Sequence, residues 1–297
     1  MDRAVFTVHV SSCNYTSQYS AVAECAPFRA PLHYRKLIPR DAMKADEEVT
    51  NIRTTSHLRS QLTMSERLQK GQELLEEGRV EEAVAFFSNE LTSVTDPHQA
   101  SQLHLNLGIA YFLFLQDLQR AIPHFDESIR LFPDNTDSIY NRASANIQLG
   151  KFPEAVLDLD RWIQLSAPEE DAEAYQLRGF ALLQTGDHAN ALINFDRALT
   201  LDPTNYMALN NRANIYNDVH HRHDAALADL DAAIAAEPAE FLAYKNRGCV
   251  RALTNDRDGA MDDFRRCVQI EPESEGEIRE LMEDLETQGE SKKKRNR

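Results

Sequence analysis

The sequence has no apolar run approaching the ~18–20 residues that cross a bilayer, so no membrane span is expected. It has no phosphate-cradling glycine loop, no GxSxG and no HExxH, which removes the commonest signatures of nucleotide, hydrolase and zinc chemistry. Cysteine is sparse. Cys13, Cys25, Cys249 and Cys267 form no CxxC pair, and small thiols in a reducing compartment are expected rather than disulfides or metal ligands. Positive charge is short, with 32 Lys and Arg against 48 Asp and Glu and a formal net charge of −16. Direct nucleic-acid binding, which requires clustered Lys and Arg, is therefore not expected. The surplus of negative charge favours a basic partner or serves solubility. Glycine is absent from residues 1–48, where Pro27, Pro31 and Pro39 interrupt any helix.

What is present is a repeat. In Ala172–Asn205, Tyr175, Gly179 and Leu182 share one helical face, Gly186-Asp187 breaks the pattern, and Ala191, Phe195 and Ala198 share a second face. Asp202-Pro203 ends the unit, since proline disfavours helix in the residue before it. Taking Ala172 as position 1, Gly or Ala at position 8 recurs as Gly71, Gly108, Ala143, Gly179, Ala213 and Gly248. Position 20 is Ala83, Ala121, Ala155, Ala191, Ala226 and Ala260, and position 24 is Phe87, Phe125, Leu159, Phe195, Leu230 and Phe264. A closing proline stands at Pro133, Pro203, Pro238 and Pro272, with Pro168 one place late. The position-20 alanines are 38, 34, 36, 35 and 34 residues apart, and the excess is expected in turns.

This pattern resembles the tetratricopeptide repeat family, whose helical hairpins stack because one hairpin cannot bury its apolar face alone. The resemblance covers about Met64–Glu273. It implies an all-α, right-handed superhelix of about six helix-turn-helix repeats: 64–97, 101–134, 136–169, 172–205, 206–240 and 241–274. Residues 1–48 read as an irregular arm, unusually aromatic for a tail, with Phe6, Tyr15, Tyr19, Phe28 and Tyr34. Residues 49–63 lead in, and Thr63-x-x-Glu66 reads as a capping box. After the repeats, Ile278, Leu281, Met282 and Leu285 give one apolar face to a capping helix within 274–289, with acidic residues opposite. The basic run Lys292–Arg297 lies in a tail, 290–297, read as solvated, with nuclear import or an electrostatic tether as the sharper alternative.

Candidate chemistry is thin. His220-His221-Arg222-His223 falls in a turn too short to place three imidazoles round one tetrahedral ion, so no metal and no cofactor are expected. Asp158 with Asp160, and Asp229 with Asp231, stand two apart on helices and point in different directions. Arg142, Arg178, Arg212 and Arg247 share position 7, and Asp158, Asp229 and Asp263 share position 23, with Asn194 in the fourth repeat. The second repeat has Leu107 and His124 there instead. A pairing repeated in unit after unit reads as a structural contact between helices, not as a catalytic one. An enzyme is not expected.

In the family the first helix of each pair lines an inner groove. Position 6 here is Asn106, Asn141, Asn211 and Asn246, with Gln69 and Leu177 departing from the row. An amide both donates and accepts, so such a row can hold a peptide backbone without reading its sequence. The row resembles the asparagine ladder of the O-GlcNAc transferase superhelix; the plainer alternative is asparagine on an exposed helical face. Leu105, Ile109 and Phe112 make the second repeat's inner face apolar, Phe180 contributes in the fourth, and Asn210 and Asn214 make the fifth polar. Apolar pockets beside amides suit an extended or helical peptide with a few anchors. The carboxylate clamp of chaperone-binding members needs cations beside its central asparagine. Asn141 is flanked by Leu105, Ile109, Glu173 and Leu177, and Asn211 by Gln176, Phe180, Leu242 and Asn246, so a clamp is disfavoured. The expected function is a cytoplasmic, non-catalytic scaffold or adaptor with a protein or peptide partner. The second reading is a structural subunit of a cytoskeletal or ciliary assembly anchored by the arm.

Overall fold

A computed structural model describes residues 63–166 and 171–295, with side chains through 287. The arm, the lead-in up to residue 62, and the side chains of the basic run lie outside the described residues. The described chain is helical, with no strand among the described residues. Helices pair in order: α1 Met64–Glu76 with α2 Val80–Leu91, α3 Pro97–Ile109 with α4 Leu118–Leu131, and α5 Thr136–Gln148 with α6 Phe152–Ser166. Then come α7 Ala172–Gln184 with α8 His188–Leu201, α9 Tyr206–Asp218 with α10 His223–Ala236, α11 Phe241–Leu253 with α12 Arg257–Ile270, and a last helix α13 Glu275–Arg295. The chain divides into two compact units, one holding α1–α6 and the other α7–α13.

Local signals set the helix starts. Thr63 and Glu66 form the expected capping box: Thr63 N donates to Glu66 at 2.6 Å and Glu66 N donates to Thr63 Oγ1 at 3.3 Å. Side chains of Asp96, Asp117, Asn135, Asp171, Asp187, Asn205 and Asp256 accept from the third backbone N–H of their helices. Pro153 sits at the second residue of α6, where a missing N–H is harmless, whereas Pro123 lies inside α4. The turn within each pair uses one left-handed residue. Gly150 and Gly186 fill it without a side-chain penalty, but Gln116, His221 and Asn255 adopt it too, at φ 52°, 51° and 70°.

The excess residue of the second repeat does not fall in a turn. It is absorbed inside the first helix, which continues from α3 as a π-helical turn over Ala110–Phe114, where one extra residue widens the coil. In the fifth repeat the extra residue does lie in the turn, between α9 and α10. The terminal helix also runs further than the capping helix expected within 274–289, continuing through Arg295. A lone Gly289 does not stop it, and the basic residues occupy its last turns, where positive charge favours a helix C-terminus.

Packing follows the repeat positions. Phe87, Phe125, Leu159, Phe195, Leu230 and Phe264 are all buried. Each phenylalanine ring abuts a glycine of the partner helix: a Cβ at Gly179 would stand 2.7 Å from Phe195 Cε1, and one at Gly248 would stand 2.6 Å from Phe264 Cε1. Gly71 and Gly108 meet Phe87 and Phe125 in the same way. The two repeats with leucine at position 24 carry Ala143 and Ala213 instead of glycine. Helix approach and ring volume are thus matched within each repeat.

The expected Arg–Asp contacts are present. Arg142 grips Asp158 through Nε and Nη2 at 2.9 and 2.6 Å, Arg212 grips Asp229 at 2.8 and 2.7 Å, and Arg247 grips Asp263 at 3.0 and 2.6 Å. Each guanidinium also reaches back to the preceding pair through Nη1: to Asp126 at 2.7 Å, to Asp196 at 2.7 Å and to Asp231 at 2.6 Å. One arginine therefore joins three helices, using the forked geometry that lysine lacks. Arg178 donates to Asn194 at 3.1 Å.

At the C-terminal end Ile278, Leu281 and Leu285 bury against Phe241, Ala260, Phe264 and Cys267. The buried ammonium of Lys245 on α11 pairs with Glu277, fastening α13 in place. Burial pushes the Cys267 thiol up to about 12, so it stays protonated as a small packing group. Cys249 is half-buried and unbridged.

Candidate functional site: the first-helix faces

Within each unit the first helices of successive pairs lie side by side, α1 against α3 and α3 against α5, then α7 against α9 and α9 against α11. Amides join them. Gln72 on α1 donates to Asn106 Oδ1 on α3 at 3.2 Å. Asn246 on α11 donates to Asn210 Oδ1 on α9 at 2.9 Å. Asn106, Asn141, Leu105, Ile109 and Phe112 lie in the unit holding α1–α6, and Phe180, Asn210, Asn211, Asn214 and Asn246 in the other.

The asparagine row is not the exposed face that the sequence suggests. Asn106, Asn141 and Asn211 retain 4%, 1% and 9% of their surface. Each turns one N–H back to the carbonyl four residues earlier: Asn106 to Gln102 at 2.8 Å, Asn141 to Asp137 at 2.8 Å and Asn211 to Met207 at 2.9 Å. That back-bond fixes the rotamer and leaves the carbonyl oxygen to find its own donor. Gln72 supplies one for Asn106, while Asn141 Oδ1 is buried without a hydrogen-bond partner. Asn246 and Asn214 are half-buried.

The apolar residues are not an open inner face either: Leu105, Ile109, Phe112 and Phe180 are all buried. Leu105, Ile109 and Phe112 belong to one cluster with Ala121, Phe125 and Ala145, and Phe112 meets Phe125 edge-on at 6.2 Å. Ile109 is fully buried and packs in the core of its repeat. Phe180 retains 9% of its surface. Gln176 on α7, which the sequence places only as a flank of Asn211 and not among the groove residues, is 3% exposed with Oε1 unpartnered. It stands at position 5, beside the position-6 row, which was the available signal.

A second polar cluster also escaped notice. His104 on α3 and His124 on α4 share a hydrogen bond, Nδ1 to Nδ1 at 3.0 Å, in a repeat that lacks the arginine clasp. Tyr111 stacks on His124 at 5.5 Å, and Arg120 lies over Tyr111 at 4.8 Å. Burial, aided by the neighbouring His104, pushes His124 down to about 4, and burial also holds His104 below its ordinary value. The histidine turn after α9 is built differently. His223 Nδ1 shares a hydrogen bond with Asn217 Oδ1 at 2.8 Å, and Arg222 lies over the Tyr216 ring at 4.7 Å. Among the described residues no group of three or more His, Cys, Asp or Glu is arranged to hold a metal ion. Nor is any described helix long and apolar enough to cross a membrane.

Comparison with known proteins agrees with this architecture. Tetratricopeptide repeat family models match residues 68–136, 111–170 and 172–205. The chain is 31% identical over 87 residues to the Hsp70-Hsp90 organizing protein of Triticum aestivum, a match spanning 29% of this chain and 15% of that protein. It is 33% identical over 87 residues to Tetratricopeptide repeat protein 36 of Danio rerio, spanning 29% of this chain and 46% of that one. The chain thus spans less than half the length of either relative. A solved structure of Pseudomonas aeruginosa pilF shares the fold, with a TM-score of 0.63 at 17% identity, covering 74% of this chain and 97% of that one. Matching repeats, paired helices and glycine–phenylalanine packing all make this chain a tetratricopeptide-repeat protein.

Proposed function

We propose that the chain is a non-catalytic scaffold that binds an extended peptide segment along its first-helix faces, through the amides of Asn106 and Asn141 in one unit and of Asn210, Asn211, Asn214 and Asn246 in the other. The observation that carries this reading is the buried, unpartnered Oδ1 of Asn141. A buried carbonyl without a donor costs ~1–3 kcal/mol, and a peptide N–H is the donor that removes that cost. An amide side chain reads main chain, so the row supplies affinity, while Leu105, Phe112 and Phe180 pack beneath it in the core. The acidic balance favours a basic partner segment. A carboxylate clamp is disfavoured: Lys245, the lysine at position 5 of the sixth repeat, is buried against Glu277.

Panning a peptide-display library against the full chain, then mapping the recovered peptide by hydrogen exchange, tests the proposal. Protection concentrated in α3 and α5, or in α9 and α11, is the expected result. Protection confined to the second helices would refute it.

A further inference from the structure

We propose that α13 is a dimerisation helix: the α13 of a second copy fills the cleft between α12 and α13, and the two terminal helices lie antiparallel about a two-fold axis near Met282.

The cleft follows from the repeat register. One repeat length on from Phe241 and Gly248 stand Glu275 and Met282, so α13 takes the place of the first helix of a seventh pair. Its Ile278, Leu281 and Leu285 pack back on the sixth pair, as a first helix does. At position 8, Gly71, Gly108, Gly179 and Gly248 each meet a phenylalanine ring of their own second helix. At the same position in α13, Met282 lines a cleft of about 510 Å³. Arg265 and Val268 of α12 and Arg279, Glu283 and Glu286 of α13 stand round it. Val268 and Met282 are half-buried and form an apolar floor, and the charged residues are exposed. The slot is thus shaped for one more helix, and methionine adapts its shape to what covers it.

The charge on α13 selects the occupant. Glu275–Glu286 holds six acidic residues against Arg279, whereas Lys292–Arg295 is four basic residues in a row. Two such helices side by side in parallel would set acid on acid. Antiparallel, each acidic start meets a basic end. A two-fold axis produces that direction, which is also how a second helix runs on its first. With the axis between Met282 and Glu283, Arg279 of one copy stands level with Glu286 of the other, and the contact occurs twice. The terminal turn Lys292–Arg295 then comes level with the other copy's Glu271 and Glu273. Length serves the same end: α13 has 21 residues against 13 in α11, about 12 Å more helix at 1.5 Å per residue, and that extension carries the basic turn. A purely basic helix from another protein would satisfy Glu283 and Glu286 but would meet Arg265 and Arg279, whose side chains are 61% and 63% exposed. The cleft carries both signs, and a copy of itself matches both.

Sedimentation equilibrium of the full chain over a concentration series tests the proposal. We expect a monomer–dimer equilibrium that weakens as salt is raised. Arg279→Glu and Glu286→Arg each set like charges together twice at the axis, so each variant alone should dimerise about tenfold or more weakly. Mixed together they set opposite charges at both contacts, and the mixture should recover dimer near the wild-type level. In a Cys13→Ser, Cys25→Ser, Cys249→Ser background, with Cys267 buried and protonated, Met282→Cys should form a disulfide between copies on mild oxidation. Glu280→Cys, on another side of α13, should not. Circular dichroism confirms that each variant keeps its helicity. A chain that stays monomeric throughout the series would overturn the proposal, as would a dimer that none of these substitutions alters. Failure of the mixed variants to recover would overturn the antiparallel pairing. A lysine-rich helical peptide that binds the cleft of a chain found monomeric would assign the slot to an external partner and overturn the second copy as occupant.

Discussion

Arg142 holds Asp158 by two parallel hydrogen bonds while its third nitrogen holds Asp126 of the preceding helical pair. The contact within a hairpin and the contact between hairpins therefore pass through one side chain. Asp158 is buried, with a side chain 8% exposed, so removing the arginine strands a carboxylate. We predict that Arg142→Leu costs close to the ~3–5 kcal/mol typical of a broken buried pair, and that Arg142→Leu with Asp158→Leu costs less than the sum of the single changes. Urea denaturation of the four chains gives the coupling. The same cycle on Arg247 and Asp263 should give a smaller value, since Arg251 also donates to Asp263 at 2.9 Å. Equal couplings, or strict additivity, would contradict the clasp.

The glycine at position 8 and the ring at position 24 make a second prediction. Gly179→Ala should destabilise, because its Cβ would meet Phe195 where something must move. Phe195→Ala should cost about 3–5 kcal/mol through the cavity it leaves. Combining Gly179→Ala with Phe195→Leu reproduces the pair found naturally as Ala143 with Leu159, and should recover much of the loss from Gly179→Ala. A double variant no more stable than Gly179→Ala alone would show that the two positions are not matched.

That pairing shows how much the sequence disclosed. The period, the small residue at position 8 and the large one at position 24 were all visible, because stacking repeats demand the same packing each time. Their matching, glycine with phenylalanine and alanine with leucine, is legible once a ring is known to press on a helix backbone. The π-turn at Ala110–Phe114 was not legible, because an extra residue can widen a helix or lengthen a loop at similar cost. The site was less visible still. Asn106, Asn141 and Asn211 read as exposed because position 6 faces inward in the family, yet burial depends on neighbouring helices that one repeat's sequence does not describe. The second carboxylate on each arginine belongs to the preceding repeat and was missed for the same reason.

The histidine pair predicts a pH dependence. His124 titrates at about 4 in the folded chain, against an ordinary value near 6.5, and His104 is also held low. Between these values the unfolded chain binds more protons, so the pair's contribution is full above about pH 6.5 and declines as the pH falls toward 4. A proton on both rings would also set N–H against N–H across the 3.0 Å contact. The melting temperature should fall over that window, and the fall should be smaller in His124→Gln. Parallel curves for the two chains would remove the pair as a cause.

The central claim is that the buried amides of the first helices serve binding at some cost to stability. Asn141→Leu tests it most directly, because leucine fills similar volume and removes the unpartnered Oδ1. Calorimetric titration of the display-selected peptide into the wild type and into Asn141→Leu, beside a melting curve for each, gives both quantities. The account predicts affinity lowered several-fold to about tenfold, as loss of one hydrogen bond worth ~0.5–1.5 kcal/mol implies, with a melting temperature equal to or above that of the wild type. Unchanged affinity, or a loss of affinity that only follows a loss of fold, would contradict it.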